Sequence, residues 1–403
     1  MDLATLHRKL HSEEGMVCAG ILSGTSADGI DVGLVRFFRD LNGEWRQPEL
    51  LAYETLVYAG DLGQCLTAAL TGAHWSLRDT ALLHRDLGLA FGAALVEVRK
   101  RADLSVDLIA SHGQTLWHHD GEEISGPASL QLGDPARIAA VTGCSVVADF
   151  RAGDLAAGGE GAPLSAYGDE LIFGAEARPL CVLNLGGIAN LTWLGAAGEV
   201  MAFDTGPAGA LLDGLARRLL DRPLDRGGEC AGRGTADRAL VELFLDHPFV
   251  GSQPPCSTGR DMFGERWLDG LLKALPPGVD ANCVLASAAV AVARHVAGGL
   301  EFLPQGVERL VVAGGGVHHG PLMKALQAET GTEVVTSEVL GVPPDAREAL
   351  VFATLGARFV AGEALTRVRV TGAQEGVVLG CWTPAPGPGS LDAGAQGASL
   401  EPF

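Results

Sequence analysis

Ala19-Gly20-Ile21-Leu22-Ser23-Gly24-Thr25-Ser26-Ala27-Asp28-Gly29-Ile30-Asp31 begins as an apolar run, turns on Gly24-Thr25-Ser26, and resumes after Gly29 as Ile30-Asp31-Val32-Gly33-Leu34-Val35. The pattern predicts strand, tight turn, strand. Two glycines let a ligand come close to the backbone, and the amides and hydroxyls between them suit phosphate oxygens. Asp28 and Asp31 repel phosphate unless a divalent cation, held by oxygen ligands and water, lies between. Taken alone, the stretch favours an ordinary β-hairpin with a polar tip, for which Gly, Ser, Thr and Asp are the expected residues.

The design returns about 160 residues on, which makes two structurally related halves the expectation. Leu180-Cys181-Val182-Leu183-Asn184-Leu185-Gly186-Gly187-Ile188-Ala189-Asn190-Leu191 is again apolar strand, Gly turn and apolar strand. After it, Phe203-Asp204-Thr205-Gly206-Pro207 puts a carboxylate at a strand end, before a helix expected to begin near Pro207. Asp204 or Thr205 also reads as a simple N-cap there. Leu310-Val311-Val312-Ala313-Gly314-Gly315-Gly316 is a strand followed by three glycines, where a flat base or ribose can pack on backbone. Glu348 lies near the start of the last long helix, with a solvent-facing acid as the plain alternative.

Between these elements lie polar loops. Leu108-Ile109-Ala110 predicts a short buried strand running into Ser111-His112-Gly113-Gln114-Thr115, with His118 and His119 beyond. No Cys or His at ligand spacing completes a zinc site, so a hydrogen-bonding loop for a polar substrate is the preferred reading. Asp149 and Arg151 follow the strand Ser145-Val146-Val147-Ala148 and precede Gly158-Gly159-Glu160-Gly161, which predicts a flexible loop with a guanidinium fork at its mouth. A surface pair between Arg151 and Asp154 is the alternative.

Composition narrows the classes. At 403 residues and 47% hydrophobic content the chain is long enough for two cores with a cleft between. A formal charge of −20 argues against nucleic acid or an anionic membrane as partner. Lysine occurs only at positions 9, 100, 273 and 324, none of them in a Gly-rich loop. The eight cysteines form no CxxC pair and read as buried thiols of a reducing compartment. The opening residues lack a signal-peptide core, and residues 281–300 read as a core helix broken by Arg294 and His295, so a cytoplasmic location is expected. Residues 384–403, rich in Pro, Gly, Ala and Ser, predict a disordered tail.

In this order the motifs resemble the anhydro-N-acetylmuramic acid kinase family. The resemblance rests on residues 24–31, Ser111-His112-Gly113-Gln114-Thr115, Ala148-Asp149-Phe150-Arg151, residues 158–164, Asn184-Leu185-Gly186-Gly187-Ile188-Ala189-Asn190, residues 203–207, Ser257-Thr258-Gly259-Arg260, the three glycines 314–316 and Glu348-Ala349. It implies an actin, hexokinase and Hsp70-like α/β fold with ribonuclease H-like halves closing on ATP and Mg²⁺. The expected division is 1–179, 180–360, a return segment 361–383 on the first domain, and the tail. The implied reaction opens 1,6-anhydro-N-acetylmuramic acid with water and phosphorylates O6, with Asp204 as general base. Gly24, Thr25, Ser26, Ala27, Asp28, Gly29, Ile30, Asp31, Asn184, Gly186, Gly187, Gly206, Pro207, Gly314, Gly315 and Gly316 would face the nucleotide. His112, Gln114, Asp149, Arg151, Gly158 and Gly159 would face the sugar, and Glu348 and Asp204 the metal. The family pattern has Gly-Asn where this chain has Ala208-Gly209, Asn at His319 and Gln at Glu160. Glu160 adds negative charge beside the sugar loop, which keeps the related levoglucosan kinase as an alternative. A phosphohydrolase on the same fold and a non-catalytic sugar sensor are the other readings, and a homodimer is left open.

Overall fold

The computed structural model describes residues 1–24, 27, 29–70, 75–119, 126–259 and 262–386. Thr25, Ser26 and Asp28 of the first hairpin, Arg260, and residues 387–403 of the expected tail therefore lie outside the described residues.

The first hairpin forms as its pattern predicts. Strand β1 (Met16–Ser23) is buried along its whole length, and it pairs antiparallel with β2 (Ile30–Phe37), which pairs with β3 (Glu49–Leu56). On the other edge of β1 lie β4 (Leu108–His119) and then β6 (Ser145–Ala148), both parallel to their neighbour, while β5 (Ala128–Leu132) pairs antiparallel with the far part of β4. The second half repeats the scheme: β7 (Leu180–Leu185), β8 (Ile188–Leu194) and β9 (Val200–Pro207) form an antiparallel meander, and β10 (Arg309–Ala313) and β11 (Glu333–Thr336) continue in parallel from β7. The orders β3-β2-β1-β4-β6 and β9-β8-β7-β10-β11 are the same topology used twice. The repeated hairpin thus has its structural counterpart in a repeated α/β sheet. A last strand, β12 (Cys381–Thr383), returns to pair antiparallel with β6, and Ala385 N donates to Ser145 Oγ at 2.9 Å.

Strands buried on both faces need helices on both sides, which explains the near-continuous apolar runs of β1 and β7. The helix Leu77–Ala102, started by a Ser76/Asp79 capping box, covers the outer face of the first sheet with Leu83, Leu87, Phe91 and Leu95. The helices Gly209–Leu220 and Ala281–Leu300 cover the outer face of the second. Ala281–Leu300 is long and apolar enough to span a membrane, yet most of it is buried in this core.

Between the sheets lie two central helices, Ser165–Ile172 and Arg347–Ala361, in one cluster with Cys18, Leu108 and Ala110 of the first sheet and Val182, Leu194 and Val311 of the second. Arg347–Ala361 follows the second sheet in sequence but packs on β1, β2 and β4 of the first. Gly20 and Gly33, directly paired across β1 and β2, make this approach possible. A Cβ on Gly20 would run into the Ala349 carbonyl oxygen, and one on Gly33 would sit 2.9 Å from Ala349 Cβ. The helix therefore rests its first turn on a glycine saddle.

All eight cysteines are free thiols; Cys18, Cys181 and Cys230 are buried as expected, whereas Cys65 and Cys381 are exposed.

Candidate active site

The loops selected from sequence converge on the central layer. β4 does not end at Ala110 but runs on to His119. It carries a bulge instead: Ile21 pairs with Ser111 and Leu22 with Gly113, so His112 is the residue passed over. Such a bulge re-aims a side chain. The buried imidazole of His112 stacks on Phe352 of the central helix at 4.4 Å, its Nδ1 donates to Gly113 O (3.2 Å), and its Nε2 accepts from Arg151 Nη2 (3.0 Å). Burial and the adjacent guanidinium hold its pKa well below the ordinary histidine range, which keeps the ring neutral and able to accept. Gln114 is buried, with Nε2 on Thr115 O and Oε1 lacking a partner among the described residues.

Arg151 donates from Nη1 to Gly161 O at 2.6 Å as well as to His112. Burial pulls its pKa down to about 10, while the carboxylates of Asp204, Glu348 and Asp154 act in the opposite direction. These three acids, from three separate segments, thus act on one guanidinium through space, while its hydrogen bonds go to His112 and Gly161 O. The alternative of a surface pair with Asp154 does not hold: Asp154 is fully buried and accepts from Gly161 N (2.8 Å) and Thr371 Oγ1 (2.6 Å). A Cβ on Gly159 would collide with the Asp154 carboxylate, so glycine is required there for fit. Glu160 N donates to Thr371 O and Gln374 N to Ala157 O, so the loop expected to be flexible is pinned. Gly158 keeps a left-handed backbone, and Asp149, exposed with φ 56°, stands just beyond β6.

Asp204 sits inside β9 beside a second bulge, where Asn190 pairs with Asp204 and Ala189 with Gly206. Its carboxylate is 7% exposed and accepts from Thr258 N at 2.7 Å. It does not cap the next helix, which begins at Gly209 with Ala208 as N-cap and no side-chain bond. Gly206, at φ 143°, faces His295, whose Nδ1 lies 2.6 Å from where a Cβ would stand. The Gly186 and Gly187 carbonyls of the β7–β8 turn accept from the amides of Gly209, Ala208 and Ala210, which fastens this turn to the helix start beyond Pro207. At Gly209 a Cβ would lie 3.0 Å from Gly186 O and 3.1 Å from Asp213 Oδ2, so the side chain of the family's usual Asn has little room.

Gly314, at φ 84°, and Gly316 press on this same turn: their Cβ positions lie 2.8 Å from Leu185 O and 2.5 Å from Leu185 Cβ, while Gly315 faces open space. His319 is buried and caps the following helix by accepting from Leu322 N (3.1 Å). It thus does what an Asn would do at that position.

Asn184 Nδ2 donates to Glu348 Oε1 at 3.3 Å. Burial raises the Glu348 pKa; Arg347 opposes, Asp31 adds to the rise, and Asn184 and Arg151 oppose it. Asp31 is itself held by Tyr53 Oη (2.8 Å) and Thr55 Oγ1 (2.6 Å), both donating to Oδ1. Across the hairpin, Ala27 N donates to Gly24 O (3.1 Å), Ala27 takes φ 55°, Ile30 is buried, and Gly29 packs on Thr55. No cluster of three His, Cys, Asp or Glu exists among the described residues. The donors present are nonetheless hard oxygens: Glu348, Asp31, and the buried Asn184 Oδ1, which has no partner among the described residues. They suit a cation such as Mg²⁺ that keeps several waters. A surface hollow of about 600 Å³ beside Tyr58, Gln64 and Thr67 touches this site only through Ala27 and lacks its charged groups.

Sequence reasoning quoted Thr258 only within a motif and Asp154 only as a partner of Arg151; the Thr258 amide orients Asp204 and Asp154 holds the glycine loop, while Tyr53 and Thr55, which hold Asp31, were missed. Thr55 lies directly across from Asp31 on β3, a register that only the folded sheet shows.

Comparison with known proteins identifies the family. The sequence model of the anhydro-N-acetylmuramic acid kinase family matches residues 16–385. Proteins of that name from Xanthomonas oryzae pv. oryzae and Burkholderia cenocepacia are 40% and 39% identical over 382 and 387 residues, spanning 93% of this chain in each case and 99% and 97% of their own. Among solved structures, component A of (R)-2-hydroxyglutaryl-CoA dehydratase from Acidaminococcus fermentans aligns over 86% of this chain and 100% of its own, with 15% identity and a TM-score of 0.46, a likeness too distant to bear on the site. The match of family and relatives over nearly the whole described chain places it: this protein belongs to the anhydro-N-acetylmuramic acid kinase family.

Proposed function

We propose that the protein uses ATP and water to convert 1,6-anhydro-N-acetylmuramic acid into N-acetylmuramic acid 6-phosphate and ADP, a step of cell-wall recycling in the cytoplasm. The observation that carries the reading is the buried Asp204 carboxylate, held by Thr258 N, with the Arg151 guanidinium acting on it electrostatically. Asp204 takes a proton from water. The water oxygen bonds to C1 as the C1–O6 bond breaks, and O6 bonds to the γ-phosphorus as the bond to the β-phosphate oxygen breaks, releasing ADP. The neutral His112 and the charged Arg151, with Gln114, Asp149, Gly158 and Gly159, orient the sugar. Arg151, a planar fork with donors to spare beyond Gly161 and His112, suits the substrate carboxylate.

The two glycine hairpins and the turn at Gly314, Gly315 and Gly316 bind the nucleotide through backbone, with Gly206 and Pro207 at the phosphate end. Bound Mg²⁺, held through Glu348, Asp31 and Asn184 with Asp204 nearby, would neutralise charge on the phosphoryl oxygens. Two homologous sheets on either side of one ligand set suit closure about the central helices. The test is ADP release by purified protein with ATP and the anhydrosugar, with product mass read in the same sample. Release that depends on the sugar and gives the 6-phosphate is expected; ATP turnover independent of sugar would refute it.

A further inference from the structure

Arg347 and Asp169 form a bidentate pair, Nε to Oδ1 at 2.8 Å and Nη2 to Oδ2, with both side chains 0% exposed. The pair joins the two central helices, and Arg347 immediately precedes Glu348 in the first turn of its helix. Stability does not explain it. Buried ion pairs are commonly matched or bettered by apolar residues of similar volume, because desolvation offsets the attraction. Here the guanidinium is also incompletely satisfied, with Nη1 buried and unpartnered among the described residues. A half-satisfied buried network is a costly way to fill space.

What the pair does fix is rotation. Consecutive residues on an α-helix point about 100° apart, so anchoring Arg347 on one side sets the direction of Glu348 on another. The N-cap of this turn, Ala346, makes no side-chain bond. From below, the turn rests on Gly20 and Gly33, which bring Ala349 against the sheet, and further along the same helix Arg358 Nη1 donates to Glu170 Oε2 of the other central helix at 3.0 Å. Glu348, in turn, meets Asn184 at 3.3 Å from the opposite sheet.

We propose that the buried Asp169/Arg347 pair is a latch that aims Glu348 at Asn184 and Asp31, making Asp169 and Arg347 positioning residues of the phosphoryl-transfer site. The inference rests on the reading of Glu348 given above. The experiment compares the full-length protein with the double variant Asp169→Leu/Arg347→Met, with Arg347→Lys, and with Glu348→Gln. Melting temperature, calorimetric affinity for Mg²⁺-ADP, and kcat and KM for the anhydrosugar are measured for each. The double variant should melt no lower than wild type. It should lose roughly tenfold or more in Mg²⁺-ADP affinity and on the order of 10²-fold in kcat, the scale of a 1 Å misplacement, with KM for the sugar within about threefold. Arg347→Lys keeps the charge without the fork and should fall between the two. Wild-type affinity and kcat in a folded double variant overturn the latch; should that variant fail to fold, wild-type values in Arg347→Lys do so. Wild-type affinity in Glu348→Gln overturns the reading of Glu348 and the latch with it, whereas a loss there beside wild-type values in the double variant overturns the latch alone.

Discussion

Replacing Asp204 by Asn separates a structural carboxylate from a catalytic one. The side chain is 7% exposed and its carboxylate accepts from Thr258 N at 2.7 Å. Asn keeps an oxygen able to accept that bond, so the loss at this contact is the difference between a charge-assisted and a neutral hydrogen bond, about 1 kcal/mol. Arg151 loses one of three carboxylate neighbours but, with a pKa already near 10 and two acids remaining, keeps its charge at neutral pH. Catalysis should fare far worse. Loss of a general base costs about 10²–10⁴-fold, equivalent to roughly 2.7–5.5 kcal/mol of barrier. Because ring opening and phosphoryl transfer are coupled through O6, both should fall together, with no ring-opened sugar accumulating. Circular dichroism and calorimetry with nucleotide establish that the variant is folded and competent; turnover is then followed by ADP release. Turnover within about threefold of wild type would refute the assignment, since the weakest general base contributes more.

Three further substitutions probe the frame around this site. Gly20→Ala drives a methyl into the Ala349 carbonyl, and overpacking of this kind costs about 1–3 kcal/mol; with the first helical turn displaced, kcat should drop on the order of 10²-fold, and a folded variant with wild-type kcat would count against the saddle. His319→Asn should leave the unfolding free energy from urea titration within about 0.5 kcal/mol of wild type because the cap is kept, whereas His319→Ala should lose about 1 kcal/mol; equal losses would disprove the capping role. His295, buried beside Gly206, has its pKa depressed to about 4, so below about pH 6.5 the unfolded chain takes up a proton that the native one refuses, and stability falls as the pH drops. Removing that burden in His295→Leu should shrink the stability lost between pH 7.5 and pH 5 by about 2 kcal/mol, measured by urea unfolding at both values, and an unchanged loss would contradict it.

Much of this architecture was legible because period and punctuation carried it. The two apolar-glycine-apolar segments became the paired hairpins β1–β2 and β7–β8, and the order of each sheet followed the repeat they announced. Asp204, His112, Arg151 and Glu348 stood out as polar groups in loops or at the ends of apolar strands and helices; Arg151 bonds to His112, and Asp204 and Glu348 act on its charge. What stayed hidden depends on register and on long-range packing. Gly20 and Gly33 are thirteen positions apart in sequence and become a saddle only once β1 and β2 pair residue for residue. Asp154 looked like a surface acid because nothing local shows that Thr371 will close over it. His112 was placed in a loop because a bulge inside a strand has no hydrophobic signature of its own.

The position of the helix Arg347–Ala361 has a consequence for how the chain is made. The inner face of the first sheet, including Cys18, Leu108 and Ala110, is sealed by a segment that leaves the ribosome more than two hundred residues after β4. Until then the nascent first half must either carry an uncovered apolar face or remain incompletely condensed, the situation in which multidomain chains engage chaperones or aggregate. Fragments that end before residue 347 should behave as sticky, poorly cooperative species, and production of the active protein should be limited by the arrival of its last long helix.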